Sequence, residues 1–212
     1  HGREWERYAW IKARVITGGK AGAELMEMAR PFVFRRYVDY SAFAAMREMK
    51  AMIEREVMRR NIEDDIKLGA GGIREIEFIV QVFQLIYGGS KRELQDRQCL
   101  VNLHHLGEAE LLDQQAVIDL EDAYLFLRRV EHAIQALNDQ QTQSLPNEPE
   151  LRQRMIETLG FADWQAFLDV LNQKRDKVKV QFKQLIQEQE FSAPIDDFSQ
   201  LEQRLNSVLD DN

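Results

Sequence analysis

A chain of 212 residues can bury roughly 70% of its unfolded surface as one large domain or two small ones, so it needs no covalent staples. The single cysteine, Cys99, excludes a disulfide framework. With no signal-like segment and no apolar run of about 18 residues, the composition fits a reducing cytoplasm and gives no membrane span. A net charge of −8 argues against a general nucleic-acid binder, but it is unevenly spread. Residues 1–60 hold 13 Lys/Arg against 8 Asp/Glu, a balance of +5, whereas residues 61–212 hold 15 against 28, a balance of −13. A basic first third suits a local phosphate site. The acidic remainder reads as a solvated surface or a protein-docking face.

The first residues read as a dense helix to about residue 16 with no preceding cap, as in a chain cut from something longer. Trp5, Tyr8, Ala9 and Ile16 share one stripe and Arg3, Arg7 and Arg14 another, giving a core face and a cationic face. Ion pairs with Glu4 or Glu6 are the alternative use of those arginines. The glycines at 18, 19 and 22 end this helix, a short helix follows over 23–30, and Pro31 is expected to break it. The aromatic and basic stretch 31–39 reads as an extended or irregular link. Ser41 caps a helix to about residue 60, with Phe43, Met46, Met49, Ile53 and Val57 at three- and four-residue steps.

Residues 65–78, Asp-Ile-Lys-Leu-Gly-Ala-Gly-Gly-Ile-Arg-Glu-Ile-Glu-Phe, place three glycines beside a lysine and an arginine at the head of an apolar run. Glycine allows turns at positive φ, and a helix starting near Ile73 would aim amide N–H groups and a positive dipole end at the loop. An anion is the natural guest. A glycine turn required only for packing is the alternative. The helix over 73–87 is apolar almost all round and should be central and buried. Arg74, Glu77, Gln81 and Gln84 gather on about a quarter of its circumference at about 100° per residue. Such a stripe must be paired internally or face a cleft, because buried unpaired charge is costly.

Beyond Gly88-Gly89, residues 94–112 read as a helix interrupted at Gly107. His104 and His105 are adjacent, which is not metal-ligand spacing. A long amphipathic helix over 114 to about 140 carries a second polar stripe, Arg128, Glu131, His132 and Gln135, which could pair with the first across a helix interface. The loop 144–149, with Pro146 and Pro149, is the clearest boundary in the chain. A helix over 150–159 follows, ended by Gly160, then a long helix from 164 to about 190 capped by Asp163, and an acidic tail. Nothing alternates as a β-strand would, so the expectation is an all-α, multi-helix bundle divided as 1–40, 41–145 with the glycine loop at 65–72, 146–190 and 191–212. No nucleophile–base pair and no metal-ligand set stands out.

Four stretches carry a family resemblance: residues 2–14, residues 65–81, Tyr124 to His132, and residues 139–146. Together they closely resemble the glutamine synthetase adenylyltransferase, or adenylyl-removing enzyme, family, and the glycine loop has a looser counterpart in uridylyltransferases that modify the PII signal protein. The resemblance covers residues 1 to about 190. It implies two nucleotidyltransferase halves in the whole protein. Arg74-Glu75 after Gly-Gly-Ile resembles the N-terminal, deadenylylating half, where the other half has Thr-Asp. The implied reaction is phosphorolysis of adenylyl-tyrosine on glutamine synthetase to give ADP, with Mg²⁺ and under control by uridylylated PII. The family's metal-binding carboxylates lie in a Gly-Ser, Asp-x-Asp motif that is absent from these residues, so no catalytic or metal-binding residue is assigned in this chain, and the fragment alone is expected to be inactive. Residues 1–40 would form the join to the nucleotidyltransferase domain. The residues expected to hold nucleotide (ATP or ADP) or phosphate are Lys67, Gly69, Gly71, Gly72, Arg74, Arg7 and Lys12, with Glu75, Glu77 and Gln81 as a cleft stripe. The rival reading is a regulatory helical module that binds PII or glutamine synthetase and touches no nucleotide.

Overall fold

An apolar run with no polar face longer than a stripe can satisfy itself only in the middle of a bundle, and residues 73–87 do so. The computed structural model describes residues 4–35, 55, 64–138 and 142–192. These form seven α-helices: α1 (Glu4–Ile11), α2 (Gly19–Val33), α3 (Ile73–Tyr87), α4 (Cys99–Glu108), α5 (Gln114–Asn138), α6 (Pro149–Leu159) and α7 (Trp164–Ser192), with a 3-10 turn at Arg92–Gln95. Among the described residues there is no β-strand, only an isolated antiparallel bridge between Asp65 and Ser144, so the class is all-α. The helix expected over 41–60 lies outside the described residues apart from Arg55, as does the tail beyond Ser192.

In α3, eleven of fifteen residues are buried, and α1, α4, α5 and α7 all pack on it. Phe78 meets Phe182 of α7 edge-on at 5.5 Å and Tyr8 of α1 at 5.9 Å between ring centroids. The same core continues through Leu120, Leu127 and Ile134 of α5 into Phe167, Leu171 and Val178 of α7. Each such side chain removed from water contributes about 1.5–3 kcal/mol. At the far end Phe126, Phe161, Trp164 and Phe167 form a tilted and edge-on aromatic cluster, with the Arg152 guanidinium 4.8 Å above Trp164.

Three boundaries differ from expectation. The first helix stops at Ile11, not near residue 16: Ala13 N–H donates to the Trp10 carbonyl at 3.0 Å, and the chain crosses α2 at Gly22, where a Cβ would lie 2.4 Å from Val15 Cγ1. Close packing against Gly22 replaces another helical turn. Pro31 does not break α2, which starts at Gly19 and runs to Val33. Proline removes one donor, but it sits in the last turn, and Phe34 N–H still reaches the Arg30 carbonyl at 2.8 Å. Residues 94–112 are not one helix broken at Gly107. The 3-10 turn ends at Gln95, and α4 runs through Gly107, which packs against Val117 and Gln114, to stop before Glu110 at φ +54°.

Phe167 is fully buried and Val180, on the same helix, is 52% exposed. Phe167→Ala should lower the unfolding free energy by about 3–5 kcal/mol, whereas Val180→Ala should change it by no more than about 0.5 kcal/mol, both read from denaturant midpoints.

Candidate anion-binding groove

The glycine loop is built around Asp65. Its Oδ1 accepts from the amides of Lys67 and Leu68, both at 2.8 Å. Its carbonyl accepts from Gly69 N–H at 2.9 Å and from Arg175 Nη2 of α7 at 2.9 Å. Burial pulls the Arg175 guanidinium below its usual range, and the nearby charges of Asp64, Asp65 and Glu75 oppose that. The loop is also laced to residues 143–145, with Ile66 N–H on the Gln143 carbonyl and Leu145 N–H on the Asp64 carbonyl. Gly71 stands at φ +73°, and a Cβ there would lie 2.4 Å from the Arg175 carbonyl oxygen. Both the conformation and the close approach demand glycine.

These contacts correct the expectation of open amides at the start of α3. Ile73 N–H donates to the Ile66 carbonyl, Arg74 N–H to Lys67, Glu75 N–H to Gly72 and Gly72 N–H to Gly69. Gly71 N–H donates to the Glu75 carboxylate at 2.9 Å. The amides of Gly71, Gly72, Ile73, Arg74 and Glu75 are thus taken by the loop carbonyls and Glu75. Gly69, Gly71 and Gly72 shape the turn and do not line the groove beside it. Glu75 turns into the loop, not into the cleft.

What the loop does present is Lys67 and Leu68. They edge a groove of about 630 Å³ whose floor is Arg74, Glu77 and Gln81 of α3. Tyr8, Ala9 and Lys12 form one side. Arg97 to Leu100 and Tyr124 of α5 form the other. Among the described residues four cations, Lys12, Lys67, Arg74 and Arg97, thus share the groove with one carboxylate, Glu77. Lys12 Nζ donates to the Arg97 carbonyl at 2.7 Å, which ties α1 to the start of α4. Arg74 is exposed, and no ion pair involving Arg74 or Arg97 occurs among the described residues.

The neutral groups in the groove stay neutral. Burial pushes the Tyr8 hydroxyl up to about 12, with Arg74 opposing and Glu77 adding to the effect. Burial also raises Tyr124 to about 12, helped by Cys99 and Glu77, and Tyr124 donates to Glu77 Oε1 at 3.5 Å. The Cys99 thiol is likewise pushed up to about 12, mainly by burial, so it is not a thiolate nucleophile near neutral pH. The groove is equipped to hold and orient an anion.

Five of the expected residues meet here: Lys12, Lys67, Arg74, Glu77 and Gln81. Arg7 does not. It is fully buried, and its Nη2 donates to the Val33 carbonyl at 3.2 Å, locking α1 to α2. The polar stripe of α3 divides by position: Gln84 Nε2 donates to the carbonyls of Leu94 at 2.6 Å and Asp96 at 2.8 Å, whereas Gln81 lines the groove; the Oε1 of each is buried without a hydrogen-bond partner among the described residues. The expected pairing of the α3 and α5 stripes is not what joins the two helices: Glu77 meets Tyr124, which lies outside the α5 stripe, and Glu131 meets Lys67 of the loop, whose Nζ lies 3.6 Å from Oε1. Arg97 and Tyr124 line the groove beside the expected residues. A basic residue in a short turn and a tyrosine in an amphipathic helix carry no spacing signal, and only the crossing of α4 and α5 over α3 brings them in. His104 pairs with Glu121 and His105 with Glu108. Among the described residues no group of three or more His, Cys, Asp or Glu could hold a metal ion, and no helix is long and apolar enough to cross a membrane.

The family described as GlnD PII-uridylyltransferase matches residues 47–186. The bifunctional glutamine synthetase adenylyltransferase/adenylyl-removing enzyme of Acinetobacter baylyi is 75% identical over 211 residues, covering 100% of this chain and 23% of that protein. Its namesake in Chromobacterium violaceum is 55% identical over 184 residues, 87% of this chain and 20% of the relative. The Pseudomonas putida protein of that name is 52% identical over 186 residues, 87% and 19%. The chain spans about a fifth of the length of the curated relatives it matches.

The split of the α3 stripe is testable by stability. Gln84→Leu strands the Leu94 carbonyl, while the Asp96 carbonyl keeps its bond from Asn102 Nδ2, and should cost about 1–3 kcal/mol, whereas Gln81→Leu, which removes an unpaired buried acceptor and breaks no such bond, should be neutral or stabilising by up to about 1 kcal/mol; urea titration of both variants measures the difference.

Proposed function

The chain belongs to the GlnD PII-uridylyltransferase family and is similar to one segment of bifunctional glutamine synthetase adenylyltransferase/adenylyl-removing enzymes, and on that premise we propose that it is the helical part of an enzyme that regulates glutamine synthetase by adenylyl transfer and removal. The half to which we assign it is the N-terminal, deadenylylating one, because Arg74-Glu75 follows Gly71-Gly72-Ile73. Its role is to hold phosphate or the diphosphate of ADP, in a cytoplasmic enzyme that acts on glutamine synthetase and answers to PII. The supporting observation is the groove, which among the described residues Lys12, Lys67, Arg74 and Arg97 line together with the carboxylate of Glu77.

In phosphorolysis a phosphate oxygen attacks the phosphorus of adenylyl-tyrosine, the bond from that phosphorus to the tyrosyl oxygen breaks, the tyrosyl oxygen takes up a proton, and ADP leaves. Bringing two anionic phosphorus centres together is opposed by their charges. Fixed cations lower that opposition without reorganising during the reaction. Lys67 and Arg74 supply such charges, and Arg74 can add a forked pair of donors. Mg²⁺ would belong with carboxylates on the nucleotidyltransferase domain. The described residues offer it no ligand set, and no step of this reading passes through a metal here.

Lys67→Met and Arg74→Met, made in the full-length enzyme, should each lower kcat/KM for phosphate in deadenylylation by roughly 10- to 100-fold, the worth of one charge-assisted hydrogen bond. Thermal midpoints should move little, since both side chains reach solvent. Loss of activity only in proportion to loss of stability would return both residues to a structural role. Unchanged phosphorolysis together with lost binding of PII or glutamine synthetase would favour the regulatory module instead.

A further inference from the structure

We propose that Glu131 is a positioning residue that holds the Lys67 ammonium at the groove, an inference that rests on reading the groove as an anion seat. Glu131 lies on α5 and is only 2% exposed. A carboxylate so buried must be paired, and here its two oxygens are held from different directions. Arg128 Nη1, one turn earlier on α5, donates to Oε2. Lys67 Nζ, from the glycine loop, stands 3.6 Å from Oε1.

That second contact crosses between elements. The Asp65 hydrogen bonds fix the Lys67 backbone, but a lysine side chain on a flexible four-carbon stem is not placed by its Cα. The buried carboxylate restricts where the ammonium can stand. At 3.6 Å the pair is an ion pair without a short hydrogen bond, and the Lys67 side chain stays 35% exposed where it lines the groove. An ammonium has three donors, so those not aimed at Glu131 remain available to an anion. Arg128 has a separate part: it keeps Glu131 paired when Lys67 swings to a ligand or is removed.

The test is a double-mutant cycle in the full-length enzyme, reading KM for phosphate and kcat separately in deadenylylation of glutamine synthetase. Glu131→Gln should raise KM about ten-fold with kcat within about two-fold, and should have no further effect once Lys67→Met is present, because coupled residues are non-additive. Should Glu131→Gln fail to fold, Glu131→Asp keeps the charge but withdraws the carboxylate by one carbon. It should show the same pattern at smaller amplitude. An equal KM increase in both backgrounds would overturn the positioning role, as would an unchanged KM in Glu131→Gln when Lys67→Met alone raises it. A Lys67→Met enzyme with normal KM would instead overturn the reading of the groove, and this role with it.

Discussion

The arrangement depends on how Asp65 is held. Buried at 7% exposure, it accepts two loop amides on its carboxylate and one loop amide plus the Arg175 guanidinium on its carbonyl. The three of these that involve the carboxylate or the guanidinium contribute about 1.5–3 kcal/mol each, and the amide–carbonyl bond about 1 kcal/mol. They convert a glycine-rich stretch with little preference of its own into one fixed turn. Arg175 lies on α7, 110 residues further along the chain, so the turn gains that bond only when α7 has docked. The loop is thereby part of the core on one side and the edge of the groove on the other.

A division of labour follows. Backbone amides that could have cradled an anion instead hold the start of α3, and recognition passes to side chains that the fixed turn and α3 carry outward. Lys67 leaves the loop towards the groove, Arg74 sits in the first turn of α3, and Glu77 and Gln81 continue along the same face. Lys12 follows the end of α1 and Arg97 precedes α4, and the bond from Lys12 Nζ to the Arg97 carbonyl joins those two walls. This is a binding surface assembled from five parts of the chain, with neutral tyrosines and thiol between the charges. That suits a helical part working beside a separate catalytic domain.

Much of this was legible in the sequence where local signals suffice. α3 follows from an unbroken apolar run, α5 and α7 from long three- and four-residue periodicity, and the end of α6 from Gly160, which adopts φ +80°. Asp163 was readable as a cap and bonds the Ala166 amide at 2.8 Å. The early boundaries were not, because they depend on contacts made across the chain: Val15 against Gly22, and a helix that tolerates Pro31 because only one more turn remains. In the groove, the spacing of Arg74, Glu77 and Gln81 was enough to place them on one face. Arg7 and Glu75 have the same chemistry and similar spacing, but one meets the Val33 carbonyl and the other the Gly71 amide. No periodicity reveals those partners. The same limit hid Arg175, which no local pattern connects to Asp65.

The central claim is that side chains, not loop amides, receive the anion. A structure of the full-length enzyme with ADP bound tests it most directly. The account predicts phosphate oxygens within hydrogen-bond reach of Lys67 Nζ and the Arg74 guanidinium, with the amides of Gly71, Gly72 and Ile73 still on their present acceptors. Phosphate density seated on those amides, or an empty groove with ADP bound elsewhere in the same half, would contradict it.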